Sequence, residues 1–186
     1  NGPCWFQLYL IGGEAIAARS IERAKKSGYS ALILTIDTAV PGNRAHHEWM
    51  GASRAINGTP IQKLQFAPQM LRYNSWLKSH YSDGGMMQFR NVIRDDGTPM
   101  PYTDIGTQLR ASAITWEHLP WIRNIWDEDR PIIIKGVQCV EDAQLAVEHG
   151  ADAIVVSNHG GRQLDRVYPT LYMLKEIAPA LKGSGV

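Results

Sequence analysis

The sequence predicts an α/β fold in which helices cover an all-parallel sheet. Four apolar runs typical of buried strands alternate with helical patterns, in the order β-α-β, a long insertion, then α-β-α-β-α. The first strand, helix and second strand together occupy roughly 30 residues, the length of a βαβ unit with parallel strands. Polar side chains capable of chemistry follow each strand. These observations favour one catalytic α/β domain.

The predicted elements can be assigned in chain order. Apolar, β-branched or aromatic runs predict strands, which cover 5–10, 31–36, 132–135 and 151–157. Amphipathic spacing predicts helices at 14–27, 68–78, 115–123, 140–149 and 169–181. Residues from about 41 to 114 form a long, less regular insertion. Loops of this length inside an α/β domain usually carry function or a partner surface.

Composition excludes several classes of protein. The 186 residues carry a net charge of +1 without a basic block, so nucleic acid is not an expected partner. No apolar run approaches the roughly 20 residues of a membrane span, and no signal peptide is recognisable. Cys4 and Cys139 are far apart, which favours a reduced, intracellular protein, either cytoplasmic or peripheral at a membrane surface. Because no initiator methionine is present, we expect a piece of a longer protein.

Polar residues stand late in each predicted strand or directly after it. They are Gln7 and Tyr9, then Thr35 and Asp37, then Lys135, and finally Ser157 and His159. Burying such a group without a partner costs about 1–3 kcal/mol. Because the carboxyl ends of parallel strands lie at one edge, we expect these side chains to share a polar ligand there. The alternative is a set of unrelated polar groups, each satisfied by backbone.

The last of these strands runs into a turn with paired glycines. His159 can move a proton near neutral pH, and Arg162 can bind a carboxylate through two parallel hydrogen bonds. Gly160 and Gly161 allow close approach of the backbone to a ligand, or a positive φ. The turn therefore suggests a base beside an anion-binding group. An ordinary Gly-Gly turn with an uninvolved histidine is the alternative.

A metal site is not predicted. His46, His47 and Glu48 are adjacent, with His80 and Cys139 elsewhere in the chain. Neighbouring histidines point in different directions in most backbones, and no helix-spaced histidine pair occurs.

Four motifs carry a resemblance to a known family. They are 5–9, 35–38 with Arg44 following, 134–136, and 157–165. In this order they resemble the FMN-dependent L-2-hydroxy acid oxidases and dehydrogenases, which include glycolate oxidase, lactate oxidase, mandelate dehydrogenase and the flavocytochrome lactate dehydrogenases. The resemblance implies a (β/α)8 TIM barrel. Residues 1–186 would be part of that flavin-binding catalytic domain, corresponding to its third to sixth strands.

The resemblance also implies residue roles. His159 would be the catalytic base, and Asp37 would hold and stabilise its imidazolium. Tyr9 would bond the substrate hydroxyl or carboxylate, and Arg162, assisted by Arg44, would bind the carboxylate. Lys135 would stabilise the anionic reduced flavin. The residues that would bind the cofactor FMN are Gln7, Thr35, Lys135 and Ser157.

The implied function is oxidation of an L-2-hydroxy acid of the lactate, glycolate or mandelate type to the 2-oxo acid. The final electron acceptor could be O2, a quinone or a cytochrome, and a homo-oligomer, as a homotetramer, is expected. A complete barrel needs about 250 residues, so the missing strands are expected from the rest of the protein. The alternatives are a non-catalytic fragment or partner subunit, and another barrel enzyme that binds a phosphorylated ligand.

Overall fold

A computed structural model describes residues 2–39, 42–43, 45–111 and 113–186. In chain order the elements are β1 (Trp5–Leu8), α1 (Glu14–Lys26), β2 (Ala31–Thr35), α2 (Ala45–Trp49), α3 (Ala52–Asn57), α4 (Pro60–Leu64), α5 (Ala67–Arg72), α6 (Asn74–Ser82), β3 (Gln88–Ile93), β4 (Pro99–Pro101), α7 (Tyr102–Ala111), α8 (His118–Trp126), β5 (Ile132–Val137), α9 (Val140–Glu148), β6 (Ala153–Val156) and α10 (Thr170–Ala180).

The main sheet has four strands in the order β1-β2-β5-β6. Every neighbouring pair is parallel, with Trp5 opposite Ala31 and Thr35 opposite Lys135. The predicted parallel α/β fold is therefore confirmed. All four strands end at the same edge, which is the arrangement that brings their following residues together.

The core lies between the sheet and its helices. Helix α1 contributes Ile21 and Ala24 at helical spacing, and α8 contributes Ile122 and Trp126. These side chains pack against alternate strand residues, because successive residues of a strand face opposite sides of the sheet. The strand residues in this core include Leu8, Leu32, Leu34, Ile132 and Ile134. The opposite face of the sheet carries the polar residues of the strand ends.

The segment between β2 and α8 is more regular than expected. It contains the short helices α2 to α6 and the antiparallel hairpin β3–β4, followed by α7. The single helix expected over 68–78 is divided into α5 and α6, because Tyr73 has the non-helical angles φ −108° and ψ 43°. The hairpin is held to α1: Ser20 Oγ and Arg23 Nη2 both donate to the carbonyl of Asn91.

Among the helices that the structure describes, none has both the length and the apolar character needed to cross a bilayer.

Candidate active site

The edge of the sheet brings residues of β1 and β2 into one hydrogen-bonded group. The Gln7 amide Nε2 donates to the Tyr9 hydroxyl and to Thr35 Oγ1, each at 2.8 Å. Thr35 is buried at the end of β2, and Gln7 is exposed on β1. Both N–H groups of the Gln7 amide thus form hydrogen bonds with these two neighbours. Three side chains predicted from the sequence are therefore in contact.

A buried carboxylate connects the other two strands. Asp37, which follows β2, has only 4% of its side chain exposed. Its Oδ1 lies 2.9 Å from His159 Nδ1, and its Oδ2 lies 3.9 Å from Lys135 Nζ. An ionised carboxylate only accepts hydrogen bonds, so with Asp37 ionised the donor in this contact is Nδ1 of His159. Within the described part of the chain Oδ2 has no hydrogen-bond partner, so the charge of Lys135 is its nearest compensation.

The turn after β6 aims His159 at this carboxylate. His159, Gly160 and Gly161 have φ values of +56°, +68° and +70°, three consecutive left-handed residues. Glycine tolerates this region without a steric cost, which explains the glycine pair. Ser157 Oγ accepts from the His159 backbone N–H at 3.1 Å, and Asn158 Oδ1 accepts from that of Gly161 at 3.2 Å. The turn is thus fixed by side chains that precede it.

A cleft of about 350 Å³ opens beside the histidine and Tyr9. Gln7 and Gln163 add polar groups to its wall, and the rest of the wall is largely apolar. The apolar part includes Ile11 after β1, Phe89 and Val92 of β3, and Ile105 of α7. The cleft therefore offers a proton-accepting side chain and a phenol next to an apolar wall.

The position of Tyr9 changes its acidity. Burial raises the pKa of the Tyr9 phenol above its ordinary value of 10.0, and the negative charge of Asp37 adds to the rise. Hydrogen bonds with Thr35 and Gln7 act in the opposite direction without cancelling it. Tyr9 is therefore a neutral phenol, able to donate a hydrogen bond, throughout the physiological pH range.

Of the two predicted arginines, the structure describes Arg162. Arg162 is exposed in the turn after β6 and lines a second cleft, with Asn43, His46 and Gln163. Gln163 belongs to both clefts, and its Oε1 accepts from the backbone N–H of Gly42 at 3.0 Å. Arg44 lies outside the described residues. The arginine of the turn thus borders the cleft of His159 through its neighbour Gln163.

No group of three or more histidine, cysteine, aspartate or glutamate side chains in the described ranges is arranged to hold a metal ion. His46 and His47 are exposed on the short helix α2. Cys4 and Cys139 are free thiols.

Sequence reasoning missed the residues that the hairpin contributes. Phe89 and Val92 line the cleft, yet their segment was expected to be irregular. A signal was present: Asp96-Gly97 is a frequent hairpin turn, and apolar residues stand on both sides of it. The proximity of the hairpin to β1 has no such local signal, because it depends on contacts between α1 and β3.

Comparison with known proteins identifies the family of this chain. The sequence model of a family described as FMN-dependent dehydrogenase matches residues 1–185. An L-lactate dehydrogenase of Vibrio cholerae serotype O1 (strain M66-2) is 39% identical over 184 residues, which is 97% of this chain and 47% of the relative. An L-lactate dehydrogenase of Pseudomonas putida (strain W619) is 39% identical over 185 residues, covering 97% and 46%. The chain thus spans about half the length of the curated relatives it matches.

Solved structures of mandelate oxidase have a similar fold. A mandelate oxidase variant with (S)-mandelic acid superposes with a TM-score of 0.63 at 28% identity, over 99% of this chain and 41% of that one. Mandelate oxidase with (S)-2-phenylpropionate has the same score, identity and coverage. The fold of this chain is therefore similar to the part of mandelate oxidase that it covers. The chain belongs to the family of FMN-dependent dehydrogenases.

Proposed function

We propose that the protein containing this chain oxidises a small L-2-hydroxy acid of the lactate class to the 2-oxo acid, with FMN as the first electron acceptor. The observation that carries this proposal is the buried Asp37 carboxylate, whose Oδ1 lies 2.9 Å from Nδ1 of His159, a residue that lines the cleft. A carboxylate–histidine pair at a cleft is the arrangement of an oriented general base.

His159 acts as the base through its other ring nitrogen. Because Nδ1 is occupied by Asp37, Nε2 is the nitrogen that accepts a proton from the substrate. The imidazolium that forms is stabilised by the carboxylate behind it. The histidine side chain is 27% exposed, so it is held firmly and still accessible to a substrate. Asp37 needs no protonation in this scheme.

The substrate is held by groups of complementary charge. Arg162, assisted by Arg44, binds the substrate carboxylate, since a guanidinium matches a carboxylate with two hydrogen bonds. The neutral phenol of Tyr9 donates to the substrate hydroxyl or carboxylate. The names of the relatives at 39% identity, L-lactate dehydrogenases, favour a short side chain on the substrate.

The residues at the sheet edge fit FMN by their chemistry. Lys135 supplies a positive charge with 22% of its side chain exposed, and the Gln7 carbonyl oxygen is a further acceptor beside the nitrogen that donates to Tyr9 and Thr35. The hydroxyls of Thr35 and Ser157 complete a set of donors and acceptors suited to the polar edge of a flavin ring. When bound, FMN supplies the two-electron acceptor that oxidation of a hydroxy acid requires. Lys135 stabilises negative charge that develops next to it.

The four-stranded sheet is, in this proposal, the third to sixth strands of a (β/α)8 barrel. Support comes from its strand order, its helices on one face and its polar residues at the carboxyl edge. In the described residues the outer edges of β1 and β6 have no strand partner. The remaining polypeptide would pair with these edges.

The proposal is tested by adding L-2-hydroxy acids to the full-length protein without oxygen. Glycolate, L-lactate and L-mandelate are compared, and loss of the oxidised flavin absorbance is followed with time. We expect bleaching, fastest with L-lactate, and none with D-lactate as the matched control. A protein that holds FMN and is bleached by none of these acids would contradict the proposed function.

A further inference from the structure

Strand β5 contains an irregularity beside the catalytic pair. Lys135 pairs with Val155 and Val137 with Val156, so β5 has one more residue than β6 between these pairs. The extra residue is Gly136, which is buried and has φ +110°. Such a β-bulge bends the strand and changes the direction of its side chains. Few residues other than glycine adopt this backbone conformation.

The bulge explains how β5 places Lys135 at the polar edge of the sheet and the following side chain, Val137, in the core. Ile132 and Ile134 point into the helix-covered core, and by strict alternation Val137 would face the opposite side. Val137 is nevertheless part of that same core. The extra residue therefore resets the alternation, so that Lys135 faces the polar edge while the next side chain returns to the core.

The same glycine lies directly against Asp37. A Cβ atom added to Gly136 would be 2.7 Å from Asp37 Cβ, 2.8 Å from its Cγ and 2.9 Å from its backbone nitrogen. Non-bonded carbon atoms prefer separations of about 3.5–4.0 Å. Two of these contacts are with the first side-chain atoms of Asp37, which cannot move without moving the carboxylate. That carboxylate is the one held by His159 Nδ1 at 2.9 Å.

We infer that Gly136 is a positioning residue for the base: the absence of a side chain at the bulge sets where the Asp37 carboxylate stands, and hence the orientation of His159. This inference rests on the proposed function for its catalytic consequence, although the geometric consequence is independent of it. Any side chain at position 136 would displace Asp37 from the imidazole while leaving the cleft, Tyr9 and the turn after β6 in place.

The first test is Gly136→Ala in the full-length, flavin-loaded protein, with Gly150→Ala as the matched control. Gly150 also has a positive φ, +82°, but an added Cβ there meets nothing within 4 Å. Gly136→Ala should lower kcat by about 100-fold, the loss typical of a displacement of about 1 Å in a catalytic geometry. KM should change little, since substrate binding groups are untouched. Gly150→Ala should retain kcat.

The crystal structure of Gly136→Ala provides a readout that does not depend on turnover. We expect the distance from His159 Nδ1 to the nearest Asp37 oxygen to exceed about 3.5 Å, beyond hydrogen-bond range. A distance that stays at 2.9 Å would overturn the inference. If the wild-type protein oxidises no hydroxy acid, the proposed function fails, and this distance still decides the role of Gly136.

A second background separates positioning from a general effect on folding. Asp37→Gly removes both side-chain atoms that an alanine at position 136 would meet. In that background the backbone strain at φ +110° and the 2.9 Å contact with the backbone nitrogen of residue 37 remain. Gly136→Ala should therefore lower the melting temperature less than in the wild type and leave the residual turnover unchanged. Equal losses in both backgrounds would show that Gly136 acts independently of Asp37, which overturns the inference. If Gly136→Ala alone fails to fold, recovery of folding in the double variant supports it, and failure of both refutes it.

Discussion

Two regions of this chain are built in opposite ways. The strand-end region consists of the parallel sheet, the turns that leave its strands and the helices α1, α8, α9 and α10 that pack on it, and the insertion covers residues 41–114. In β2 every residue except Ile33 is buried, and β5 is equally enclosed apart from Lys135. Helices α2 to α6 contain no buried residue. Asp37 follows the enclosed strand β2 and Lys135 stands on β5, whereas His159 follows β6, whose four residues are all half-buried. The carboxylate that orients the histidine is therefore held by the part of the chain with the most apolar burial.

The insertion contributes surface to the site without fixing the pair. Its hairpin and α7 line the cleft through Phe89, Val92 and Ile105, whereas contacts between Asp37, His159 and Lys135 involve none of its residues. This comparison predicts that changes in the strand-end region alter stability or chemistry strongly. Equivalent changes in α2 to α6 should have small effects.

The largest effect is expected from truncating a tryptophan in the core. Trp126 is 0% exposed, and its Nε1 donates to the carbonyl of Pro131 at 3.2 Å. Trp126→Ala removes this bond and leaves a cavity, so the free energy of unfolding should fall by about 3–5 kcal/mol. Urea denaturation checks it. A loss below about 1 kcal/mol would mean that α8 does not anchor the core.

The second-largest effect is expected from removing the charge of the Asp37 carboxylate. Asp37→Asn keeps the shape of the side chain but removes the negative charge that stabilises the His159 imidazolium. We expect kcat to fall by about 100-fold or more, the lower range for general base catalysis, with bound flavin retained. Steady-state kinetics with L-lactate measure it. Unchanged kcat would remove Asp37 from the mechanism.

Replacing the positive charge at the end of β5 should have a smaller effect. Lys135→Met retains the aliphatic stem and deletes the ammonium 3.9 Å from Asp37 Oδ2. A hydrogen bond to a charged group contributes about 1.5–3 kcal/mol. Without the ammonium that stabilises the reduced flavin, flavin reduction should slow by at least about 10-fold and FMN should bind more weakly. Stopped-flow absorbance and flavin titration report the two quantities. Equal reduction rates would exclude Lys135 from the flavin site.

The pH response of Tyr9 tests the buried side of the site. Since its pKa is raised, the folded protein holds the phenol proton more tightly than the unfolded chain. Its contribution to stability is therefore complete below pH 10.0 and is lost as the pH rises through the raised value. The difference in phenolate absorbance between wild type and Tyr9→Phe should have its midpoint above pH 10.0. A midpoint at or below that pH would contradict the burial.

The smallest effect is expected in the insertion. Trp76, on α6, is 61% exposed and stacks on His80 with ring centroids 5.1 Å apart. Trp76→Ala should change the free energy of unfolding by no more than about 0.5 kcal/mol, as for most surface substitutions. The same urea experiment compares it with Trp126→Ala. Similar losses for the two tryptophans would abolish the contrast between the regions.

Much of the enclosed region could be predicted because its signals are local. The apolar runs 31–36 and 132–135 specify buried strands by composition alone, and the spacing of Ile21 and Ala24 specifies a helix. Parallel pairing then brings the strand ends together, which is why Gln7, Thr35, Asp37 and His159 were expected at one edge. Their contacts follow from topology.

What could not be predicted depends on contacts between distant residues. The bulge at Gly136 lies in the pairing of β5 with β6 and stands against Asp37, and neither neighbour is encoded at position 136. The break at Tyr73 leaves a helical pattern intact on both sides, so periodicity alone does not reveal it. Phe89 reaches the cleft only because α1 holds the hairpin. Local patterns specify elements, and packing decides their details.

The most direct measurement is flavin reduction by L-lactate, without oxygen, in the full-length His159→Gln protein. His80→Gln, a substitution of the same type in the insertion, is the matched control. If the Asp37-held imidazole is the base, His159→Gln should bind FMN normally and reduce it at least about 100-fold more slowly, whereas His80→Gln should match the wild type. Reduction of the flavin at the wild-type rate by His159→Gln would contradict the assignment of the base.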